Sequence, residues 1–283
     1  MTAVPGFGVQ LRSHPPERQW RIVRRLEELA FDSVWTGDHV AFNVPLHESL
    51  TLLASYTPIT HRIRIGTCVY LLALRAPAVA AKMTATLDVL SGGRFIFGVG
   101  VGGEIPKEFE LCGVPHRERG ARVTEAIDVV RTLWRDTPAT FEGRFTRFLA
   151  RAGCQGDGWV SYVVHPERYR ESVARIRAAA EAAGRTLDGF VCAHLTFITV
   201  ARDYESAKAD WVRLLSRRYA QDFAPLAEKY GVIGTAEQCA EKIERFREAG
   251  CTYFILDTIV DPEQQQEHLE LIAAEVLPRL VPR

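Results

Sequence analysis

A chain of 283 residues, 47% apolar and 25% charged, has the size and balance of an ordinary globular α/β protein. Lys plus Arg number 35, as do Asp plus Glu, so no net field draws in nucleic acid or an anionic membrane. No apolar stretch approaches the ~20 residues of a membrane span, and the opening MTAVPGFGVQ lacks the basic and apolar regions of a secretory leader, which makes the cytoplasm the expected address.

Short β-rich runs alternate with longer helical patterns from one end to the other. Residues 7–11 (FGVQL) read as a strand, and 17–30 follow as a helix with Trp20, Val23, Leu26, Glu27 and Ala30 at helical spacing. Residues 33–36 (SVWT) form a second strand, 48–59 a helix and 62–69 (RIRIGTCV) a third strand. An Ala-rich helix over 76–90 carries Pro77 where proline is tolerated and stops at Ser91-Gly92-Gly93. Residues 94–99 (RFIFGV) make a fourth strand, and 118–134 a long amphipathic helix. The rhythm resumes with strand 159–164, helix 165–183, the β-branched strand 190–200 and a helical stretch over 201–230 broken near Pro225. A helix over 235–249, with Thr235 as N-cap and Glu237 near the capping-box position, leads to strand 253–257 (YFILD) and a final helix over 262–277.

Strands alternating with helices imply parallel strands joined by right-handed crossovers. Seven strands are readable, and the regular period favours a closed (β/α)8 barrel over an open doubly wound sheet. Near residues 148–156 the chain passes from TFEGRFTRF directly into RAGCQGDGW. One strand–helix unit, on the order of 30 residues, is therefore expected to be absent there. No linker or repeat divides the chain, so one domain spanning 1–283 is expected. The six cysteines, at positions 68, 112, 154, 192, 239 and 251, include no CxxC pair, a pattern of free thiols in a reducing compartment with no metal site.

A barrel of this type keeps its chemistry at the C-terminal ends of its strands. That rule singles out residues 36–39 (TGDH), 67–70 (TCVY), 98–104 (GVGVGGE) and 156–159 (GDGW). His39 has the titration range for proton transfer, and the adjacent Asp38 is expected to tune or orient it; the plainer alternative is a turn-capping Asp and a packed His. Gly98, Gly100 and Gly103 spell G-x-G-x-x-G, but Glu104-Ile105-Pro106 follows where a dinucleotide fingerprint needs a helix. The glycines read better as a loop that lets backbone approach a flat ligand. His14, His47, His61, His165 and His268 read as solvated, while His116 and His194 are candidates for the barrel mouth or interior. Trp35, Phe42, Tyr70 and Leu71 are candidates for the pocket wall.

The residues quoted so far resemble the luciferase-like oxidoreductases. The resemblance lies in residues 31–39 (FDSVWTGDH), 63–67 (IRIGT), 86–94 (TLDVLSGGR) with GVG at 98–100, EFE at 108–110 through GVP at 113–115, residues 117–125, GDGW at 156–159, and GTAE at 234–237 with Ala249-Gly250. The family has a strand ending in a W-x-G-G-like turn where this chain has its gap near residues 148–151. The resemblance implies a flavin or deazaflavin in the barrel mouth, and the run over 104–118 is most similar to the branch that uses coenzyme F420. It places Asp38 and His39 beside the reactive ring, with His39 exchanging a proton as hydride moves at the deazaflavin C5. It further implies a bulge with a non-prolyl cis peptide behind the ring, here at Cys68–Val69 next to Thr67, with Cys68 acting through its backbone. Gly102, Gly103 and Glu104 are implied at the ring edge, and Gly156, Asp157 and Gly158 near the cofactor tail.

Three alternatives stand beside this reading: an FMN-dependent monooxygenase on the same barrel, a barrel that binds flavin without turnover, and an NAD-linked Rossmann dehydrogenase. A small-molecule substrate and a homodimer complete the expectations.

Overall fold

The computed structural model describes residues 6–29, 31–135 and 155–280. Its strands are β1 (Gly6–Gln10), β2 (Ser33–Thr36), β3 (Arg64–Thr67), β4 (Phe95–Ile96), β5 (Gly158–Tyr162), β6 (Val191–Val200), β7 (Val232–Gly234) and β8 (Tyr253–Thr258). Between and after them run α1 (Pro16–Glu28), α2 (Ser49–Tyr56), α3 (Pro77–Ser91), α4 (Pro106–Leu111), α5 (Arg119–Arg135), α6 (Pro166–Ala182), α7 (Tyr204–Tyr219), α8 (Ala227–Tyr230), α9 (Ala236–Glu248) and α10 (Gln265–Leu271). Every ladder is parallel. The strand path is β4-β3-β2-β1-β8-β6-β5, with β7 attached to β6 off that path.

Alternation along each strand decides what it faces. Val9, Val34, Phe254 and Leu256 point outward and pack with Ile22, Leu26, Leu53, Ile243 and Phe246 of the surrounding helices. Trp35, Tyr253 and Ile255 point the other way. They join Ile96 of β4, Val160 of β5, and Ala193 and Leu195 of β6 in one inner cluster. Because β4 and β5 are the two ends of the strand path, a sheet that brings both to a single interior is rolled into a barrel. Glycine makes room inside it. A Cβ on Gly8 or Gly66 would overlap Ser33 or the Trp35 ring, so the indole lies across β1 and β3 where no side chain competes.

The expected (β/α)8 architecture thus stands, with four differences of detail. A short strand, β7, occurs at Val232–Gly234; three residues show no alternation for a pattern to reveal. It pairs, among the described residues, with the last residues of β6, Ile198 to Val200, so the path around the barrel holds seven of the described strands. Among the described residues no ladder joins β4 to β5, and the interval between those two edges is where a strand–helix unit is expected to be absent. Residues 148–154 of that stretch lie outside the described residues. β4 pairs through only two residues, because the chain beyond it leans onto the end of β3. α4 occupies a six-residue stretch that has no helical signature. At α9 the capping box forms between Thr235 and Gln238, not Glu237.

Among the described residues no helix is long and apolar enough to cross a membrane. Cys68, Cys112, Cys192, Cys239 and Cys251 are free thiols; Cys154 lies outside the described residues.

Candidate active site

The C-terminal ends of the strands open into a cavity of about 1660 Å³ that continues through the barrel interior to residues 155–158 at its other end, so its volume exceeds the roughly 300–1,000 Å³ of a common ligand pocket. His39, one residue beyond Asp38 at the end of β2, lines it. Its ring stacks on Phe42 at 4.1 Å and 7°, and Tyr219 at the end of α7 meets Phe42 edge-on. Packing thus fixes the plane of the imidazole.

Its orienting carboxylate is Glu108, not Asp38. Phe109 is buried against Ala73 and Val123 and anchors α4; that tucks the fully buried Glu108 beneath the β2 loop. Glu108 Oε1 accepts from the backbone N–H of Val40 at 2.6 Å and of Ala41 at 3.0 Å, and Oε2 lies 3.0 Å from His39 Nδ1. With two backbone donors already on it, the carboxylate takes the Nδ1 proton as a third. Nε2 then carries the lone pair. It has no partner among the described residues.

Asp38 does a different job. Its Oδ2 accepts from Leu71 N at 2.8 Å and its Oδ1 from Arg75 Nη2 at 2.7 Å, so it ties the end of β2 to the segment after β3. Burial pushes its carboxyl above the usual range, against the pull of Arg75. The tied segment begins with a cis peptide between Cys68 and Val69, at the position that the resemblance implies. Thr67, Cys68 and Val69 all line the cavity. The Cys68 thiol is raised to about 12, first by burial, so it supplies no thiolate near neutral pH.

Gly98 and Gly100 serve the bulge more than a ligand. Tyr70 N donates to Gly98 O at 2.7 Å, Gly100 N to Tyr70 O at 2.9 Å, and Thr67 Oγ1 to Gly98 O at 2.8 Å. A Cβ on Gly98 would overlap the Thr67 carbonyl oxygen, and one on Gly100 the Val69 side chain. Gly98→Ala is therefore expected to cost about 1–3 kcal/mol, the usual range for overpacking, and to weaken cofactor binding with it. Urea unfolding and a cofactor titration on the variant check both. Tyr70 itself is buried, with its ring against Phe97 and the Arg75 guanidinium, so it backs the wall; Trp35, Phe42 and Leu71 do line the cavity.

Gly102 and Gly103 sit at positive φ, 60° and 121°, and with Glu104 they form the rim after β4. The Tyr162 hydroxyl at the end of β5 donates to Glu104 Oε1, bridging the open interval between β4 and β5. Burial and that carboxylate together raise the Tyr162 hydroxyl above its ordinary range.

The GDGW segment needs correction. Gly156 and Asp157 precede β5 and Gly158 opens it, so all three lie at the N-terminal end of the barrel, opposite His39. The Asp157 carboxylate is 85% exposed and pairs with Arg131 at 3.0 Å and Arg185 at 3.3 Å. Gly158 is glycine because a Cβ would press on the Val191 carbonyl. The segment also lines the far end of the large cavity, but it has no place at the mouth.

Two histidines expected to be solvated are buried. His14 bonds Gln265 through Nε2 at 2.6 Å, and His268 Nε2 accepts from Val200 N at 3.1 Å. His194 faces the helical layer, stacked on Phe246 at 4.2 Å and bonded to Ser161 at 2.9 Å. His116 braces the rim loop through Gly103 O at 3.2 Å.

A parallel barrel with a carboxylate-held histidine and a cis bulge at its mouth defines a class of barrel oxidoreductase. The chain matches the luciferase-like monooxygenase family over residues 2–153 and 146–253, and it belongs to that family. It is 35% identical to a putative coenzyme F420-dependent oxidoreductase of Mycobacterium tuberculosis over 175 residues, which is 59% of this chain and 48% of that protein; the match thus spans about half the relative's length. It is 24% identical to an F420-dependent glucose-6-phosphate dehydrogenase of Kineococcus radiotolerans, covering 98% of this chain and 97% of that one. That alignment runs over 333 positions against 283 residues here, so the relative carries residues this chain lacks. The two family matches meet at residues 146–153, the stretch where a strand–helix unit is expected to be absent. Among solved structures, an F420-dependent secondary alcohol dehydrogenase in complex with an F420-acetone adduct superposes with a TM-score of 0.84, at 21% identity over 99% of this chain and 100% of that one.

Proposed function

We propose that the protein is an F420-dependent oxidoreductase that moves hydride between the deazaflavin C5 and a small organic substrate, with His39 exchanging the accompanying proton. The observation that carries this is the His39–Glu108 pair: a histidine with Nδ1 3.0 Å from a buried carboxylate and its other nitrogen without a partner among the described residues, at the mouth of a large cavity.

The residues present fit a flat tricyclic ring. Cys68 and Val69 offer an apolar ledge, the wall behind it is apolar, and Gly102 and Gly103 add no side chains of their own to the rim. When bound, the deazaflavin supplies a two-electron hydride acceptor or donor at C5. His39 Nε2 takes the hydroxyl proton from a substrate being oxidised, and as imidazolium returns one to a substrate being reduced. Glu108 stabilises the imidazolium through Nδ1, as the buried carboxylate does in a catalytic triad. The Asp38–Arg75 tie holds the ledge against the His39 loop.

Titrating the purified protein with F420 and with FMN, by fluorescence quenching, tests the reading. F420 is expected to bind, and the reduced complex to consume no oxygen. Binding of FMN alone, with oxygen uptake when it is reduced, transfers the protein to the monooxygenase reading.

A further inference from the structure

The mouth carries a polar pair on β1, the strand next to β2, that the His39 chemistry does not use. Gln10 ends β1 and Arg12 follows two residues on, so both side chains leave the same face of the chain. Each lines the cavity, and each holds a buried polar atom without a partner, Gln10 Oε1 and Arg12 Nε.

Arg12 is fixed yet uncompensated. Its Nη2 donates to Thr258 O at 3.0 Å, which pins the guanidinium to the end of β8. No carboxylate forms an ion pair with it among the described residues. The nearby acids are committed elsewhere: Asp257 to Arg218 at 2.6 Å, and Asp261 to Arg213 at 2.9 Å. Burial first, and then the neighbouring Arg218, lowers the Arg12 guanidinium to about 10, so it remains a cation at neutral pH. Asp257 and Asp261 act on this half-buried cation only from a distance, and a partly buried cation with an unpartnered donor is costly unless an anion meets it.

Building on the oxidoreductase reading, we propose that Arg12 and Gln10 form the substrate-recognition subsite, with Arg12 taking an anionic group, carboxylate or phosphate, and Gln10 Oε1 accepting from a substrate hydroxyl. The substrate is then a small hydroxylated anion. Its charged end is held at β1 and β8, and its reacting carbon lies toward His39. Arg217, exposed at the rim and in no carboxylate ion pair among the described residues, adds a second cation along the approach. The cofactor's own anionic tail is the other source of the same chemistry.

Calorimetric titration with inorganic phosphate separates the sources, using wild type, Arg12→Gln and Arg12→Lys. Phosphate is expected to bind the wild type at least about tenfold more tightly than Arg12→Gln, as the loss of a charge-assisted contact implies. Arg12→Lys recovers part of that affinity, and F420 affinity is the same in all three. Equal phosphate binding by wild type and Arg12→Gln overturns the proposal. So does phosphate that displaces intact F420 but not the deazaflavin chromophore stripped of its tail, because Arg12 then serves the cofactor. If phosphate binds through Arg12 while neither deazaflavin binds at all, the anion subsite stands and the F420 reading falls.

Discussion

Glu108→Gln is expected to lower turnover by about 10²–10⁴-fold, the scale of losing correctly placed proton transfer, while F420 affinity stays nearly unchanged. The amide keeps a single acceptor oxygen. Val40 N and Ala41 N, both bonded to Glu108 Oε1, claim that oxygen first. The amide NH₂ then faces His39 Nδ1 and donates to it, which drives the ring proton to Nε2. In that tautomer the nitrogen left for the substrate no longer accepts a proton. Deazaflavin reduction by a panel of small alcohols and hydroxy acids measures the loss. Nitrogen NMR shifts of the His39 ring report the tautomer with no substrate present. Turnover within threefold of wild type, or an unchanged tautomer, removes Glu108 from the positioning role.

Which parts of this site a sequence shows depends on how far apart its partners lie. His39 and the Cys68–Val69 bulge sit at strand ends, so the barrel rule and the family resemblance reach them directly. Glu108 is 69 residues from His39 on a helix of six residues, too short for any periodic signal. In the sequence it is visible only as one letter of a matching run. Asp38 invites the orienting role because it is the neighbour in sequence, yet a strand-end residue and its successor point apart. Arg75, 37 residues away, claims it instead. Gln10 and Arg12 are orphaned by the geometry of β1 against β8, which no local pattern encodes.

The fold is more legible because alternation and helical spacing repeat over many residues. Its errors have the same physical root. β7 is three residues long, and the bonds that shorten β4 come from a neighbouring strand's bulge. The GDGW segment is a different case. Its place before a parallel strand already assigns it to the N-terminal end of the barrel, whereas the resemblance alone puts it near the cofactor tail. The ion pairs of Asp157 with Arg131 and Arg185 show that position is the better guide. His14 and His268 look polar because their neighbours in sequence are. Docking of α10 across the β1 and β6 ends buries them.

Burial of imidazoles makes the fold sensitive to acid. Burial lowers His194 from 6.5 to about 3 and His268 from 6.5 to about 4. Both rings are held neutral: His268 spends its lone pair on Val200 N, and His194 lies between Phe246 and Ser161. Below pH 6.5 the unfolded chain takes up a proton on each imidazole that the folded chain refuses. Stability is therefore complete above that pH. It declines by about 1.4 kcal/mol per pH unit per histidine as pH falls toward the folded values. Between pH 7 and pH 5 each ring removes about 2 kcal/mol, so the pair removes about 4 kcal/mol, a large share of the 5–15 kcal/mol typical of a folded domain. Urea unfolding at the two pH values measures the difference. In the double variant His194→Gln/His268→Gln, the amide introduced at position 268 retains an acceptor for Val200 N. The decline between pH 7 and pH 5 is then expected to shrink by most of that amount, even if stability at pH 7 is lower. An equally steep decline in the double variant would place the acid sensitivity in other groups and show that these two imidazoles are protonated without loss inside the fold.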